Sequence, residues 1–438
     1  MTSAARVAFL SIRHTILTRR GILPAMRAPA LSLLLTAALM AGMPTLSADW
    51  PQFLGPDRNG IYSGPPLSAT WPAAGPRVAW KKSIGQGLAG PVVAGGRLIL
   101  FHRVNNQEVI EALNTSNGNS EWRSAYPTSY RDDFGFDEGP RSVPVVAGGR
   151  VYTFGAEGQL QATDLGTGQR VWSIDTMRRF GVRKAFFGAA GSPLVEDGRV
   201  IANVGGRDGA KGAGIVAFSA DTGAVIWTAT DYEASYASPV GATFSGRRLA
   251  VFFTRGGLVG LDPATGATVF QRPWRSRLAA SVNAATPIVI GDLIFVSATY
   301  GTGAALLRVK GTELAEVWSG DEVMSNHYAN CVYLNGYLFG FHGRQEFNPS
   351  FRAVALTTGM VRWTVDRFRA GSVTLAGDRL LIVKETGEMI LAPASPDAFK
   401  PLAQAQVLPP TVRALPALSD GFVYLRNDNT LVSLDLRQ

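Results

Sequence analysis

The chain has 438 residues, is 46% hydrophobic, and carries 49 Gly and one Cys. The lone Cys331 excludes an intrachain disulfide framework. The formal net charge of +9 falls to +4 once the five Arg of residues 1–48 are set aside, leaving 37 basic against 33 acidic residues. That balance, with no run of Lys and Arg interleaved with aromatics, carries none of the electrostatic footprint of a nucleic-acid binder.

Residues 1–48 read as an export signal. Their only charges are Arg6, Arg13, Arg19, Arg20 and Arg27, succeeded by the apolar run 28–42 and by Leu46-Ser47-Ala48, small residues suited to cleavage. The apolar run is too short for a spanning helix. Met26 is an alternative start that would leave a shorter n-region. Thr18-Arg19-Arg20-Gly21-Ile22-Leu23 resembles a twin-arginine signal, interrupted by Pro24 and Arg27, so Sec export is the first expectation and twin-arginine export the second. No Cys stands at the cleavage site, so a lipoprotein is not expected. Residues 49–76 form a Pro- and Gly-rich leader with Trp50, Phe53, Leu54, Ile61, Leu67 and Trp71 as apolar anchors. They are expected to pack, without regular strands, on the domain formed by the rest of the chain.

From residue 77 to the end the sequence is repetitive. Residues 142–172 alternate apolar and polar in four short runs separated by Gly148-Gly149, Ala156-Glu157-Gly158 and Gly166-Thr167-Gly168, the pattern of an antiparallel meander. The unit recurs at 90–122, 191–227, 238–270, 286–318 and 330–363, with two weaker copies at 372–407 and 417–436. Its signature is a small residue, Pro and apolar residues, a Gly turn, an apolar run, then A-x-D-x-x-T-G-x-x-x-W. A period of about 45 residues with four strands each predicts a β-propeller. The last copy lacks its fourth strand, and Arg77-Val78-Ala79-Trp80 is a fourth strand with nothing before it. Pairing the two closes the ring and removes exposed edges. The expectation is an all-β, eight-bladed propeller over 77–438. Its docking positions are Trp80, Trp122, Trp172, Trp227, Phe270, Trp318 and Trp363, plus a degraded one near Phe399. Asp164, Asp221 and Asp262 precede the T-G turn, where they are expected to accept backbone hydrogen bonds.

Residues just before each first strand converge on one mouth of the central channel. They are Arg141, Phe187, Tyr236, Asn283, His327 with Tyr328, and Arg413, polar or aromatic where the strands behind are apolar. Two long loops border that mouth. In 124–141, Asp132, Asp133, Asp137 and Glu138 read either as calcium ligands or as a solvated acidic loop. In 177–190, Arg178, Arg179, Arg183 and Lys184 beside Phe186 and Phe187 read either as an anion or partner site or as a solvated loop. His102 and His342 occupy equivalent places at the ends of second strands, too far apart to share a metal. There is no HExxH, Gly-x-Ser-x-Gly, P-loop or helix-opening GxGxxG motif.

The repeat, clear at Ala162, Asp164, Thr167, Gly168 and Trp172, and again at Ala217, Thr222, Gly223 and Trp227, resembles the tryptophan-docking motif of pyrroloquinoline-quinone (PQQ) type propellers. The leader residues 49–60 and Tyr236-Ala237-Ser238-Pro239 resemble secreted PQQ-binding-like repeat proteins. That resemblance implies an eight-bladed propeller and two functional branches. One is the quinoprotein dehydrogenases, which oxidise alcohols with PQQ and calcium. The other is BamB, a scaffold of outer-membrane protein assembly. The chain departs from both. A single Cys331 cannot form the adjacent Cys pair of the larger dehydrogenases, their Glu-Asn-Asp calcium set has no match, and Ala48-Asp49 replaces the lipid-modified Cys of BamB. The expectation is a periplasmic or secreted binding scaffold that takes a protein segment or small ligand at the channel mouth. The alternative is a PQQ-dependent alcohol or sugar dehydrogenase with a divergent site.

Overall fold

The computed structural model describes residues 48–72 and 74–437. The expected export signal, apart from Ala48, lies outside the described residues. Eight sheets make up the described chain: 92–127, 145–175, 194–229, 240–273, 288–320, 332–365, 371–406 and 417–435, here blades one to eight. Each holds an antiparallel meander of four strands, and the sheet of blade seven gains a fifth, parallel strand from Ile61–Tyr62. Blade eight obtains its fourth strand from the other end of the chain: Arg77–Ser83 pairs antiparallel with Thr430–Asp435, from Arg77 opposite Asp435 to Ser83 opposite Thr430. Among the described residues helix is limited to Thr176–Phe180 and a 3-10 turn at Gln345–Phe347. Among the described residues no helix is long and apolar enough to cross a membrane.

The repeat motif explains how blades dock. In seven fourth strands the register slips by one residue directly before the docking aromatic, at Ala79, Glu121, Val171, Ile226, Val269, Val317 and Arg362. Each slip is a β-bulge, which twists the strand locally and re-aims the next side chain. The Trp122 indole N–H then donates to Leu165 O of the next blade at 2.9 Å, and Trp80, Trp172, Trp227, Trp318 and Trp363 make the same bond to Thr115, Ala220, Pro263, Leu356 and Ser395. Phe270 keeps the bulge and has no donor. The T-G glycine lies against the ring. At Gly168, with φ +75°, an added Cβ would stand 2.6 Å from Trp122, so both the backbone conformation and the space demand glycine. Blade seven differs: its fourth strand is Ala403–Gln406, with no bulge and no docking aromatic. Phe399, expected there, sits before that strand and packs 5.8 Å from Trp363 and 5.6 Å from Phe351. The turn acids also differ among themselves. Asp164 and Asp262 accept backbone N–H from Thr167 and from Ala264 and Thr265, as expected. Asp221 instead pairs with Arg150 at 2.8 Å, and Ser219 takes the turn position.

The small residue before each first strand is also spoken for. Ser192 N donates to Ser238 Oγ (3.0 Å), Ser238 N to Thr286 Oγ1 (3.0 Å) and Thr286 N to Asn330 Oδ1 (3.4 Å), linking blade to blade around the channel. His102 and His342 share a structural role: each Nδ1 accepts a backbone N–H of the entering loop, Gly85 and Ser325, at 3.0 Å.

The leader packs on the propeller and, unlike the irregular segment its composition suggests, contributes one short strand. Trp50 exchanges two 2.9 Å backbone bonds with Val93 of blade one, Pro51 O accepts from Val146 N of blade two, and Ile61–Tyr62 runs parallel to the first strand of blade seven. The Tyr62 hydroxyl accepts from Gly421 N of blade eight at 2.7 Å. Between these anchors Arg58 is buried, 3% exposed, and donates to the carbonyls of Ser192, Pro193 and Pro239 at the first strands of blades three and four. The segment 50–62 therefore crosses the channel and touches first strands on opposite sides of the ring.

Candidate functional site

The mouth of the channel is a cup of about 430 Å³. Five of the six entry residues line it: Arg141, Phe187, Tyr236, His327 and Arg413. The sixth, Asn283, does not. Its side-chain N–H groups donate to Thr254 O and Trp274 O at 2.9 Å, and its backbone carbonyl accepts from Tyr236 N and Ala237 N at 3.1 Å. A buried amide must be paired, and here backbone groups take that capacity.

The wall is aromatic. Phe187 lies 5.2 Å from Phe134 and 5.5 Å from Tyr236, and its N–H donates to the Tyr236 hydroxyl at 3.0 Å. Burial pushes that phenol up to about 12. Phe53 lines the same cavity, so the leader that crosses the channel contributes to its lining. Tyr300 and Arg344 enter from the hairpins between second and third strands, which open on the same face. Repeat position alone does not reveal these residues, because neither leader nor hairpin belongs to the repeat signature. Phe134 and Phe136 carry a visible signal, an alternating aromatic pair, but it stands in a loop whose carboxylates dominate its composition.

Each arginine of the cup already holds a carboxylate. Arg141 donates to Asp132 at 3.0 Å, to Asp137 O at 3.0 Å and to the Tyr130 hydroxyl at 3.2 Å, with its guanidinium 5.6 Å from the Phe187 ring. Arg344 pairs with Glu346 at 2.9 Å and lies 4.7 Å over Tyr300. Arg413 pairs with Glu385 at 2.8 Å and lies 5.1 Å over Phe136. The Tyr328 hydroxyl donates to the same Glu385. His327 Nε2 stands 2.7 Å from the Tyr300 hydroxyl and Nδ1 4.0 Å from Glu346. Burial pulls the His327 pKa down to about 4, against the pull of Glu346 and with help from the charges of Arg344 and Arg413. The imidazole is thus neutral at neutral pH.

A histidine whose folded pKa lies below its unfolded value near 6.5 supports the fold above pH 6.5, and that support is lost as pH falls from 6.5 through 4. The span corresponds to about 3 kcal/mol. His102 and His342 are lowered too, so only a substitution isolates His327. Denaturation midpoints measured from pH 7 to 4 should fall less steeply for His327→Gln than for the parent chain. Equal slopes would remove the argument.

The carboxylates of the acidic loop are engaged within the fold, while residues 133–136 are exposed. Asp137 and the Asp132 carboxylate are buried, Asp133 pairs with Lys184 at 2.6 Å, and Glu138 lies 3.4 Å from Arg131. Asp137 accepts from Gly87 N and Gly139 N. The basic loop 177–190 clasps it through Lys184. Among the described residues no three His, Cys, Asp or Glu stand together as a metal site. The aromatic walls suit the flat ring of PQQ, but the arginines that would face its anionic edge are already paired with carboxylates. The oxygen cage that calcium requires is not matched, because the nearby carboxylates are bound to arginine, lysine or backbone N–H.

A family model described as outer membrane protein assembly factor BamB matches residues 57–183 and 106–339, well over half of the chain. Two curated relatives match over shorter stretches. Quinohemoprotein alcohol dehydrogenase ADH-IIG of Pseudomonas putida is 31% identical over 34% of this chain and 21% of its own length. The dehydrogenase subunit of the quinone alcohol dehydrogenase of Komagataeibacter europaeus is 30% identical over 31% of this chain and 18% of its own length. The matched stretch thus spans about a fifth of each relative. Among solved structures, BamB from Moraxella catarrhalis superposes with a TM-score of 0.59 at 14% identity, covering 82% of this chain and 96% of that one, a likeness of fold.

Proposed function

The chain belongs to the family described as outer membrane protein assembly factor BamB, a group of PQQ-like propellers, and from that premise we propose that it is an exported binding scaffold whose cup receives a segment of a partner. The observation that carries this reading is the ionic pairing inside the cup. Arg141, Arg344 and Arg413 are each neutralised by a carboxylate, and His327 is a base of pKa about 4. General-base catalysis works best with a group poised near the operating pH. A neutral, aromatic, preorganised cup is better suited to holding a side chain than to moving a proton. Export is supported by the order of charge, apolar run and small residues in 1–48.

A second reading is favoured by a specific observation, the two relatives named as quinone or quinohemoprotein alcohol dehydrogenases. In that reading Phe187 and Tyr236 would flank the PQQ ring and Arg141 and Arg344 would face its carboxylates. The bound quinone would supply the oxidising power. The unmatched calcium cage weighs against it.

Titrating PQQ with calcium into the purified chain during thermal unfolding separates the two. A ligand of the folded state raises the unfolding temperature with its concentration. The scaffold reading expects no shift. A rise that vanishes in Arg141→Ala and His327→Ala, accompanied by dye-coupled alcohol oxidation dependent on PQQ, would establish the dehydrogenase.

A further inference from the structure

The face around the cup carries unpaired charge of both signs, and in one sector the cations prevail over Asp231, an exposed acid on the loop between blades three and four. Three cations on it, Arg183, Arg275 and Arg277, are exposed and have neither a carboxylate nor a hydrogen-bond partner among the described residues. Arg141, Arg344 and Arg413 are spent on carboxylates, and Arg367 and Arg369, exposed on the loop between blades six and seven, stand in another sector. The three also belong to one region. Arg183 lies on the loop between blades two and three, three residues before Phe186. Arg275 and Arg277 lie on the loop between blades four and five. Arg255 joins the two loops: its guanidinium is 5.4 Å from the Phe186 ring, and it donates to Ala279 O at 2.7 Å. Arg255 itself is paired with Glu233 at 3.2 Å and adds no net charge.

Apolar groups accompany the cations. Leu278 is 55% exposed next to Arg277, and Phe134 is 55% exposed with its ring 6.2 Å from Phe186. Large exposed side chains gathered at one site mark a contact surface. From here the floor descends through Ala280, Val282 and Ala284 into the aromatic cup. A flat bilayer would meet the rim and leave that concavity unfilled. A chain segment can lie on the rim and insert one ring into the cup.

We propose, resting on the scaffold reading, that this sector docks an extended acidic segment of a partner protein, with its carboxylates over Arg183, Arg275 and Arg277 and an aromatic side chain in the cup. Unpaired rim charges of one sign select a partner of the other and speed its capture, and aromatic anchors in a pocket supply the hold.

The test uses the whole chain and labelled synthetic peptides, read by fluorescence anisotropy. The probe alternates glutamate and tryptophan; the controls alternate lysine or serine with tryptophan. The glutamate peptide should bind saturably and lose affinity as salt rises, and the lysine peptide should not bind. The double variant Arg275→Glu/Arg277→Glu should weaken glutamate-peptide binding about tenfold. Both side chains are exposed and unpartnered, so the variant should unfold at the parent temperature. Binding indifferent to the reversal would overturn the proposal, as would tighter binding of phosphatidylglycerol vesicles or a single-stranded oligonucleotide. If the serine peptide binds as well as the glutamate peptide, the acidic partner is wrong and the scaffold reading survives. If no peptide binds and PQQ-dependent alcohol oxidation is measured, both fall.

Discussion

Replacing Trp80 by alanine should lower the stability of the propeller by about 3–5 kcal/mol, the range for emptying a buried tryptophan site. Trp80 is 8% exposed on the one strand that joins the two ends of the chain. Its indole donates to Thr115 O at 2.8 Å, its ring covers Gly118, and Tyr424 lies 5.9 Å away. The substitution removes the contact that docks the closing strand of blade eight on blade one, and that strand is joined to the rest of its own blade by hydrogen bonds alone. Trp122→Ala is the control, since it loses the same indole bond on a strand that is covalently continuous with the rest of its own blade. Urea midpoints should place Trp80→Ala below Trp122→Ala, and limited proteolysis should release the strand Arg77–Ser83 first. If Trp80→Ala were the milder of the two, ring closure would not be the weak seam.

Arg58→Ala is expected to cost about 2–4 kcal/mol, reflecting charged hydrogen bonds lost and carbonyls left without donors. Two effects oppose each other at this residue. Burying the guanidinium is costly enough to pull its pKa down to about 9, and among the described residues no carboxylate pairs with it. Removing the charge relieves that cost. Against this, Ser192, Pro193 and Pro239 would lose the side chain that satisfies their carbonyls, Gln52 Oε1 would lose its 2.8 Å donor, and a void would open in the channel. The second effect wins because three acceptors in an enclosed channel are stranded together. Arg58→Met, which keeps the stem and drops the donors, should fall between the parent and Arg58→Ala. A denaturation midpoint unchanged in both variants would show that solvent replaces the guanidinium at no cost.

The propeller was legible in the sequence because each blade repeats one physical device: a bulge, an aromatic that docks on the next blade, and the glycine beneath it. Trp122 and Gly168 display it in full. The ring seam was legible because Arg77-Val78-Ala79-Trp80 stood alone while the last repeat lacked a strand. The cup was half legible. Arg141, Phe187, Tyr236, His327 and Arg413 share a repeat position, and a repeat position fixes a place around the ring. It does not fix where a side chain turns. Asn283 occupies the same place, but the carbonyls of Thr254 and Trp274 needed donors and its amide turned to them. Phe53, Tyr300 and Arg344 escaped because they belong to the leader and to hairpins outside the periodic pattern. Arg58 escaped for a related reason: in a Pro- and Gly-rich stretch a cation reads as solvated, and only the ring of carbonyls around it shows otherwise.

The segment that crosses the channel imposes an order of events. Residues 50–62 reach their partners only when Val93, Val146, Pro193, Pro239, Leu375 and Gly421 have been brought round to face one another. Those partners are scattered along most of the chain. The part of the described protein that a ribosome makes first therefore completes its contacts only after blade eight has emerged. Long-range closure of this kind slows folding and leaves early chains with uncovered edges. An engaged crossing thus serves as a mark of completion: a chain truncated before blade eight leaves the Tyr62 hydroxyl without Gly421 and has no strand for Trp80 to join.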